Sequence, residues 1–299
     1  MIVALTGATG FVGGHVLRRL REGGHAVRAL TRRPRAATEG VVWIDGALDN
    51  ETALARLCEG ADATIHVAGV VNAPNARGFD AGNRLGTVAM LHAAEGGSAR
   101  RFVHISSLVA REPGLSDYGA SKRAAEDAVI VSGLDWRVVR PPAIYGPGDT
   151  DMLALFQMAK RGLVLLPPPG KLSVIHAGDL ARLIVALAEA PEGGLFEADD
   201  GREGAWTHAE FARAIGDAVG RKARGLHMSP ALLRLGARID RIARGDKAKL
   251  TPDRVGYFCH PDWTIDPALR PPVELWSPAI ATPDGLAQTA AWYRGQDLL

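Results

Sequence analysis

The sequence predicts an α/β protein with a doubly wound parallel sheet and a smaller C-terminal lobe. Short runs rich in β-branched residues alternate with longer segments whose apolar residues recur at helical spacing, which is typical of successive βαβ units. The first of these runs is followed at once by a glycine-rich turn. The chain of 299 residues is long enough to bury one large core and to add a second lobe.

The N-terminal half contains six predicted strands and the helices that connect them. The strands are expected at residues 2–5, 26–30, 41–44, 64–67, 102–105 and 136–139, and amphipathic helices at 12–21, 51–58 and 83–94. Prolines and glycines after Arg140 mark irregular loops, where the second lobe is expected to begin. A further strand at 172–175 and a helix at 179–189 are expected to return to the first domain.

Composition and charge argue against several classes of protein. No run of about 18 apolar residues is present, so no membrane-spanning helix is expected. The net charge of +2 gives no general case for nucleic-acid binding. Cys58 and Cys259 lack metal-ligand spacing, and no metal site is predicted. Because the first strand leaves no room for a leader peptide, we expect a cytoplasmic protein.

A glycine-rich loop follows the first strand and opens the first helix. Gly7 allows the tight turn, Gly10 lets the backbone approach a pyrophosphate, and Gly13 lets the helix pack on the strand. The helix N-terminus offers free N–H groups to phosphates. A glycine turn without a ligand is the alternative, but the strand before it and the helix after it favour a dinucleotide site. The expected loop contacts are Gly7, Thr9, Gly10, Phe11, Val12 and Gly13.

This loop predicts a Rossmann domain over residues 1–195, to which residues 141–171 add loops of the substrate site. Residues 196–299 are predicted to form the smaller substrate-binding lobe. Domains specific for NAD place an acid after the second strand to bond the ribose 2′-hydroxyl, whereas this chain has Thr31, Arg32 and Arg33 there. Arg32 is suited to stack on adenine and pair with a 2′-phosphate, and Arg33 to assist it. NADPH is therefore predicted, with NADH left open; the alternative is that both arginines are only solvated.

Three side chains have the chemistry that carbonyl reduction requires. Tyr118 and Lys122, four residues apart at the start of a predicted helix, share one face of it. Ser107 follows the fifth strand, at the edge where open α/β sheets bind ligands. Hydride addition leaves negative charge on the carbonyl oxygen, so an acid must supply a proton. Tyr118 is the candidate acid, since a neighbouring ammonium lowers the pKa of a phenol from about 10. Ser107 is expected to hold the carbonyl oxygen, and Lys122 also to bond the nicotinamide ribose.

The chain resembles the extended or atypical branch of the short-chain dehydrogenase/reductase superfamily over most of its length. Besides the glycine loop and the Tyr118/Lys122 pair, the matching segments are 66–69 (HVAG), 83–87 (NRLGT), 102–107 (FVHISS), 140–148 (RPPAIYGPG) and 174–179 (VIHAGD). The resemblance implies that Ala68 and Gly69 line the cofactor and that Asn83 supports the active site from a helix.

The same resemblance implies roles for two further segments. It aligns Ser107 with the catalytic serine and leaves Ser106 as the supporting alternative beside the cofactor. It also implies that the backbone after Pro141 meets the nicotinamide, through Pro141, Ala143 and Ile144.

Some features depart from the pattern of nucleotide-sugar epimerases in this superfamily. Many of those enzymes have an acid after the second strand and a long insertion between the serine and the tyrosine, whereas here only ten residues separate Ser107 from Tyr118. Asp45 is displaced from the position where the family's acid contacts adenine. His66 and His104 lie in apolar strands and are interpreted as core or cofactor-lining residues rather than metal ligands.

A basic segment requires a separate explanation. Residues 221–249 contain nine lysines or arginines but only two acids, Asp240 and Asp246. Within 230–244, four apolar residues fall on one helical face beside Arg234, Arg238 and Arg241. Such a helix is suited to bind an anionic membrane surface, which would place the protein peripherally at the inner membrane. It is equally suited to cover an amphipathic substrate. The alternative is a surface helix whose apolar stripe closes the small lobe.

These observations favour one function and leave two alternatives. The favoured function is the NADPH-dependent reduction of a ketone to a secondary alcohol on a lipid-like substrate, because the pattern is similar to atypical members that include bacterial reductases of 3-oxo-sphingolipids and 3-oxo-ceramides. The alternatives are a nucleotide-sugar epimerase, dehydratase or reductase, and a non-catalytic NADPH-binding accessory protein. The complete Ser107, Tyr118 and Lys122 set disfavours the last. No oligomeric state is predicted.

Overall fold

The structure, a computed structural model, describes residues 1–245 and 248–299. Asp246 and Lys247 of the basic segment lie outside the described residues. The chain divides into two compact units. Unit 1 comprises Met1–Arg140, Leu180–Glu197 and Leu269–Ser277, and unit 2 comprises Pro141–Asp179, Ala198–Ala268 and Pro278–Leu299.

The strands and helices follow one another in a regular α/β order through the first half of the chain. The strands are β1 (Ile2–Thr6), β2 (Ala26–Thr31), β3 (Val41–Asp45), β4 (Ala63–His66), β5 (Arg101–Ile105), β6 (Asp135–Arg140), β7 (Ala143–Tyr145), β8 (Leu163–Leu166), β9 (Lys171–Leu172), β10 (Val174–His176), β11 (Gly194–Glu197), β12 (Trp206–Thr207), β13 (Arg224–His227) and β14 (Asp262–Trp263). The α-helices are α1 (Phe11–Glu22), α2 (Glu51–Cys58), α3 (Ala76–Phe79), α4 (Gly86–Glu95), α5 (Asp117–Ile130), α6 (Leu153–Lys160), α7 (Ala177–Glu189), α8 (His208–Ala218), α9 (Pro230–Arg244), α10 (Pro252–Phe258) and α11 (Thr282–Gly295).

Unit 1 is built on a seven-stranded, fully parallel sheet. Its strand order is β3-β2-β1-β4-β5-β6-β11. The order reverses between β1 and β4, and such a switch point is where doubly wound sheets bind ligands at the carboxyl ends of their strands. The predicted Rossmann fold class is therefore confirmed.

The core of unit 1 explains why these segments fold as they do. Phe102 of β5 and Val138 of β6 pack in one apolar cluster with Leu54 of α2, Met90 of α4 and Val129 of α5, and all five side chains are fully buried. The inner strands β1, β4 and β5 are buried on both faces, so they appear in the sequence as continuous apolar runs rather than alternating ones. The edge strand β3 is only partly buried, and its β-branched residues made it predictable.

Unit 2 has its own core around short strand pairs. β7 pairs with β10 and β8 with β13, both in parallel, while β9 lies between β12 and β14. Apolar side chains of α6, α8 and α11 fill the space beside them, including Phe156, Phe211, Leu286 and Tyr293. Helix α9 packs against α10.

The predicted single strand at 172–175 is wrong. The chain forms two short strands there, β9 and β10, which belong to different sheets, and neither joins the large sheet. Ser173 between them is buried; its hydroxyl donates to Asp199 at 2.7 Å and its backbone N–H to the carbonyl of Trp263 at 3.0 Å. These hydrogen bonds satisfy a buried polar residue between two strands that pair with different partners, β9 with β14 and β10 with β7. The seventh strand of the large sheet is instead β11, which was not predicted.

Candidate active site

The glycine loop and the segment after β4 lie side by side at the switch point of unit 1. Gly7 adopts a φ of +74°, and a Cβ there would come within 2.7 Å of the backbone nitrogen of Ala68. A Cβ on Gly13 would lie 2.0 Å from the carbonyl oxygen of Gly7. Both positions therefore require glycine. The hydroxyl of Thr6 completes the junction by accepting the N–H of Ala68 at 3.2 Å.

The N-terminus of α1 fits the diphosphate of a dinucleotide. No side chain caps the helix at Gly10, and its first turn contains no acidic residue. Thr9 and Gly10 are exposed, while Phe11 and Val12 are half-buried. Uncapped amides at the positive end of a helix dipole form an anion site, and the missing Cβ at Gly10 lets a phosphate approach them.

Two adjacent glycines of α1 allow a test of this proposed diphosphate site. We expect Gly13→Ala to weaken NADPH binding at least about tenfold, because the new methyl group must push the loop at Gly7 out of place. Gly14→Ala is the matched control, since its Cβ would lie 3.9 Å from the nearest atom. Isothermal titration calorimetry measures both; equal affinities of the two variants would contradict the prediction.

The end of β2 presents two arginines. Arg32 and Arg33 are exposed, and the hydroxyl of the buried Thr31 fixes the turn by donating to the carbonyl of Arg33 at 2.7 Å. Asp45 ends the neighbouring strand in register with Thr31 and is also exposed. The assignments of Arg32 and Arg33 to a 2′-phosphate stay predictions.

Helix α5 carries both Tyr118 and Lys122, and it places Lys122 beside the end of β5. Ser116 caps the helix by accepting the N–H of Gly119 at 2.9 Å. The half-buried Tyr118 ring packs 5.8 Å from the ring of Phe79. Lys122 is 5% exposed, and its ammonium donates to the carbonyl of Ile105 at 2.7 Å. Burial lowers the pKa of Lys122 to about 8, and the charge of Glu126 acts in the opposite direction.

The two serines directly follow Ile105, the residue that accepts the Lys122 hydrogen bond. Ser107 is half-buried and caps the short 3-10 turn Leu108–Arg111, with its oxygen 3.5 Å from the N–H of Val109. Ser106 is 5% exposed, and its hydroxyl has no hydrogen-bond partner among the described residues. Lys122 and the serine pair thus lie together, as the sequence predicted, while their catalytic roles stay predictions.

Asn83 connects the segment after β4 to α5. It lies in a π-helical turn, Asp80–Leu85, between α3 and α4, so the helix predicted from residue 83 has a different form there. Its amide accepts the N–H of Val70 at 2.8 Å and donates to the carbonyl of Val70 at 3.0 Å and to the hydroxyl of Ser121 at 2.9 Å. A Cβ at Gly69 would lie 2.8 Å from the Asn83 oxygen, so a larger residue there would displace the Asn83 amide.

His66 and His104 are fully packed inside the sheet beneath this site. Their rings stack at 5.6 Å, and His66 contacts the hydroxyls of Thr6 at 2.7 Å and Thr87 at 3.2 Å. Burial and the charge of Lys122 lower the pKa of His66 to about 3 and that of His104 well below its ordinary value. Both rings are therefore neutral at physiological pH.

A buried charge network in unit 1 was not predicted from the sequence. Arg140, the last residue of β6, binds Glu126 of α5 through two hydrogen bonds of 2.8 and 2.5 Å. Its third nitrogen lies 3.5 Å from Glu197, which also pairs with Arg111 at 3.3 Å. The signal in the sequence was Glu126, four residues after Lys122 on the same helical face, together with an arginine ending an apolar strand.

Pro141, Ala143 and Ile144, the residues expected to meet the nicotinamide, belong to unit 2. Ala143 and Ile144 lie in β7 and are half-buried, and Pro141 is buried. Their contact with the cofactor stays a prediction.

Comparisons with known proteins identify the family of this chain. Residues 7–191 match a family model described as NAD(P)H-binding. The chain is similar to the ceramide reductase of Caulobacter vibrioides (strain NA1000 / CB15N), with 40% identity over 98% of this chain and 94% of that protein.

Solved structures share the fold over almost the whole chain. The crystal structure of gox2253 aligns with a TM-score of 0.77 at 20% identity, covering 100% of this chain and 99% of that one. MoeE5 in complex with UDP-glucose and NAD aligns with a TM-score of 0.74 at 21% identity, covering 99% of each chain. This chain belongs to the NAD(P)H-binding family, as an NAD(P)-dependent oxidoreductase of the short-chain dehydrogenase/reductase type.

Proposed function

We propose that this enzyme uses NADPH to reduce the ketone of a 3-oxo-sphingolipid or 3-oxo-ceramide to a secondary alcohol. The observation that carries the proposal is the buried ammonium of Lys122, one helical turn from Tyr118 and bonded at Ile105 beside the serine pair. The similarity to the Caulobacter ceramide reductase, which extends over almost the whole chain, supports the substrate class. It also disfavours a non-catalytic accessory role.

The side chains of unit 1 divide the chemistry among them. A bound reduced nicotinamide supplies the hydride. Tyr118 donates its phenolic proton to the carbonyl oxygen as negative charge develops there, and Ser107 holds the same oxygen through a hydrogen bond. Lys122 has three N–H donors, of which one binds Ile105, so two remain for the Tyr118 hydroxyl and the cofactor ribose. Asn83 fixes α5 against the segment that carries Ala68 and Gly69.

The pH dependence of reduction follows from Lys122. The fraction of its side chain that is protonated falls as the pH rises through about 8, so kcat/KM is expected to be constant below this pH and to fall above it. Lys122→Arg keeps the positive charge at all these pH values, so the limb is expected to move to higher pH, where it reports only the loss of the Tyr118 proton. Initial rates at saturating NADPH measure the profile. A rate that stays constant to about pH 10 in the unmodified enzyme would contradict the prediction.

Cofactor preference tests the role proposed for Arg32. We expect Arg32→Glu to weaken NADPH binding at least about tenfold and to leave NADH binding nearly unchanged, because a carboxylate repels the 2′-phosphate. Arg35→Glu is the control, since Arg35 stacks on Trp43 at 5.7 Å instead. Dissociation constants for both nucleotides are compared by calorimetry. An equal loss of NADH affinity, or an unchanged NADPH affinity, would count against the assignment of Arg32 to the 2′-phosphate.

The substrate is tested by following NADPH consumption at 340 nm, roughly the absorbance maximum of the reduced nicotinamide. We expect turnover with 3-oxo-sphinganine or 3-oxo-ceramide in detergent micelles and little with simple ketones. If only simple ketones are turned over, the proposed reductase activity stands, but the proposed lipid substrate is wrong. Thermal protection by UDP-sugars without any keto-lipid turnover would favour the nucleotide-sugar alternative.

A further inference from the structure

Helix α9 of unit 2 turns its most apolar face to the solvent. Leu232, Leu235, Ile239 and Ile242 are 51, 51, 59 and 86% exposed. They recur at the spacing of a single helical stripe, and Ala237 on the opposite side is fully buried. The alternative in which this stripe closes the small lobe is therefore wrong.

The inner side of α9 is occupied by the chain that leads to α10. Asp240 accepts the backbone N–H groups of Lys249 at 2.8 Å and Leu250 at 2.9 Å, and it also pairs with Arg244 at 3.2 Å. The single acid of this helix is thus bound within unit 2. Its charge does not offset the arginines beside the apolar stripe.

Three exposed arginines, Arg234, Arg238 and Arg241, flank the apolar stripe on one side. A second copy of the chain packed on this face would bring arginines against arginines, which repel in contact. An anionic phospholipid surface can bind both the apolar stripe and the arginines beside it. It accepts apolar side chains among its acyl chains and arginines at its phosphates. No helix in the described part of the chain is long and apolar enough to cross a membrane.

We propose that α9 docks this enzyme on the surface of an anionic phospholipid bilayer. The helix lies parallel to the surface, with Leu235 and Ile239 at the centre of the inserted stripe and Arg234 and Arg238 at the lipid phosphates. This binding needs neither cofactor nor substrate. It can therefore be tested, and can fail, independently of the proposed reductase activity.

The test is flotation of the purified full-length protein with vesicles. We expect binding to phosphatidylcholine vesicles that contain about one-third phosphatidylglycerol, weaker binding at high salt, and almost none to pure phosphatidylcholine. Arg234→Gln/Arg238→Gln is expected to lower the partition coefficient about fivefold for each arginine removed. Leu235→Gln/Ile239→Gln is expected to lower it at least about tenfold, because the inserted apolar area is lost.

Matched variants separate docking from general changes in charge or apolar surface. Arg213→Gln/Arg294→Gln removes two exposed arginines of unit 2 outside α9, and Val42→Gln/Val131→Gln removes two exposed apolar side chains of unit 1, 58 and 84% exposed. Both are expected to bind like the unmodified protein. The proposal is overturned if the unmodified protein does not float, if the control pairs lose as much binding as the α9 pairs, or if the α9 stripe instead holds a dimer that Leu235→Gln/Ile239→Gln dissociates without lipid.

Discussion

Replacing Tyr118 by phenylalanine is expected to lower kcat for ketone reduction by about 10²- to 10⁴-fold, the range that a positioned general acid contributes. The substitution removes one oxygen and keeps the ring that packs on Phe79. The dissociation constant for NADPH is therefore expected to stay within about twofold of its original value. Single-turnover kinetics with saturating NADPH measure the chemical step, and calorimetry measures cofactor binding.

The matched control is the same substitution at another half-buried tyrosine, Tyr257→Phe, in α10 of unit 2. It is expected to leave kcat unchanged. If Tyr118→Phe keeps full activity, Tyr118 is not the proton donor and the mechanism proposed for this site is wrong. A large loss of NADPH affinity would instead indicate that the hydroxyl acts mainly in cofactor binding.

Glu126→Gln is expected to lower the free energy of unfolding by about 3 kcal/mol. Glu126 and Arg140 are 1 and 8% exposed, and removing one charge leaves the buried guanidinium with Glu197 at 3.5 Å as its remaining carboxylate. Asp127→Asn on the same helix is the matched control, because its pair with Arg123 is largely exposed, and we expect less than about 1 kcal/mol. Urea unfolding followed by circular dichroism measures both variants, and equal losses would contradict the difference expected from burial.

The same variant has a second expected effect, on the pH profile. Glu126 favours the charged form of Lys122 against the effect of burial. In Glu126→Gln, the pKa of Lys122 is therefore expected to fall, and the alkaline limb of kcat/KM to begin at lower pH. If the alkaline limb of kcat/KM does not move, the pair of Glu126 and Arg140 supports only the fold.

The sequence was sufficient for the elements whose cause is local. Strands β1 to β6 follow from short runs rich in β-branched residues, and the glycine loop follows from turn and packing requirements that Gly7 and Gly13 meet within a few residues of each other. The predictions are wrong where contacts with residues distant in the sequence determine the secondary structure. The two halves of the segment 171–176 pair with strands distant in sequence, β9 with β12 and β14 and β10 with β7, and β11 has only two large apolar residues, so it is recognised only once its pairing with β6 is known.

The candidate site shows the same division. The spacing of Tyr118 and Lys122 is a property of one helix and could be predicted. The network of Arg111, Glu126, Arg140 and Glu197 joins four separate segments, so no sequence window contains it. Exposure of the α9 stripe likewise could not be known before its neighbours were placed, because an amphipathic pattern does not say whether the apolar face is covered.

The π-helical turn at Asp80–Leu85 limits how this enzyme can be made more stable by design. Replacing it with regular α-helix would remove one residue from the turn and rotate the preceding residues by about 100° around the helix axis. Asn83 would then no longer reach both Val70 and Ser121. Replacing this turn by regular helix is therefore expected to lower both stability and turnover, because the buried Asn83 amide loses hydrogen-bond partners, so stabilising substitutions are better sought outside this segment.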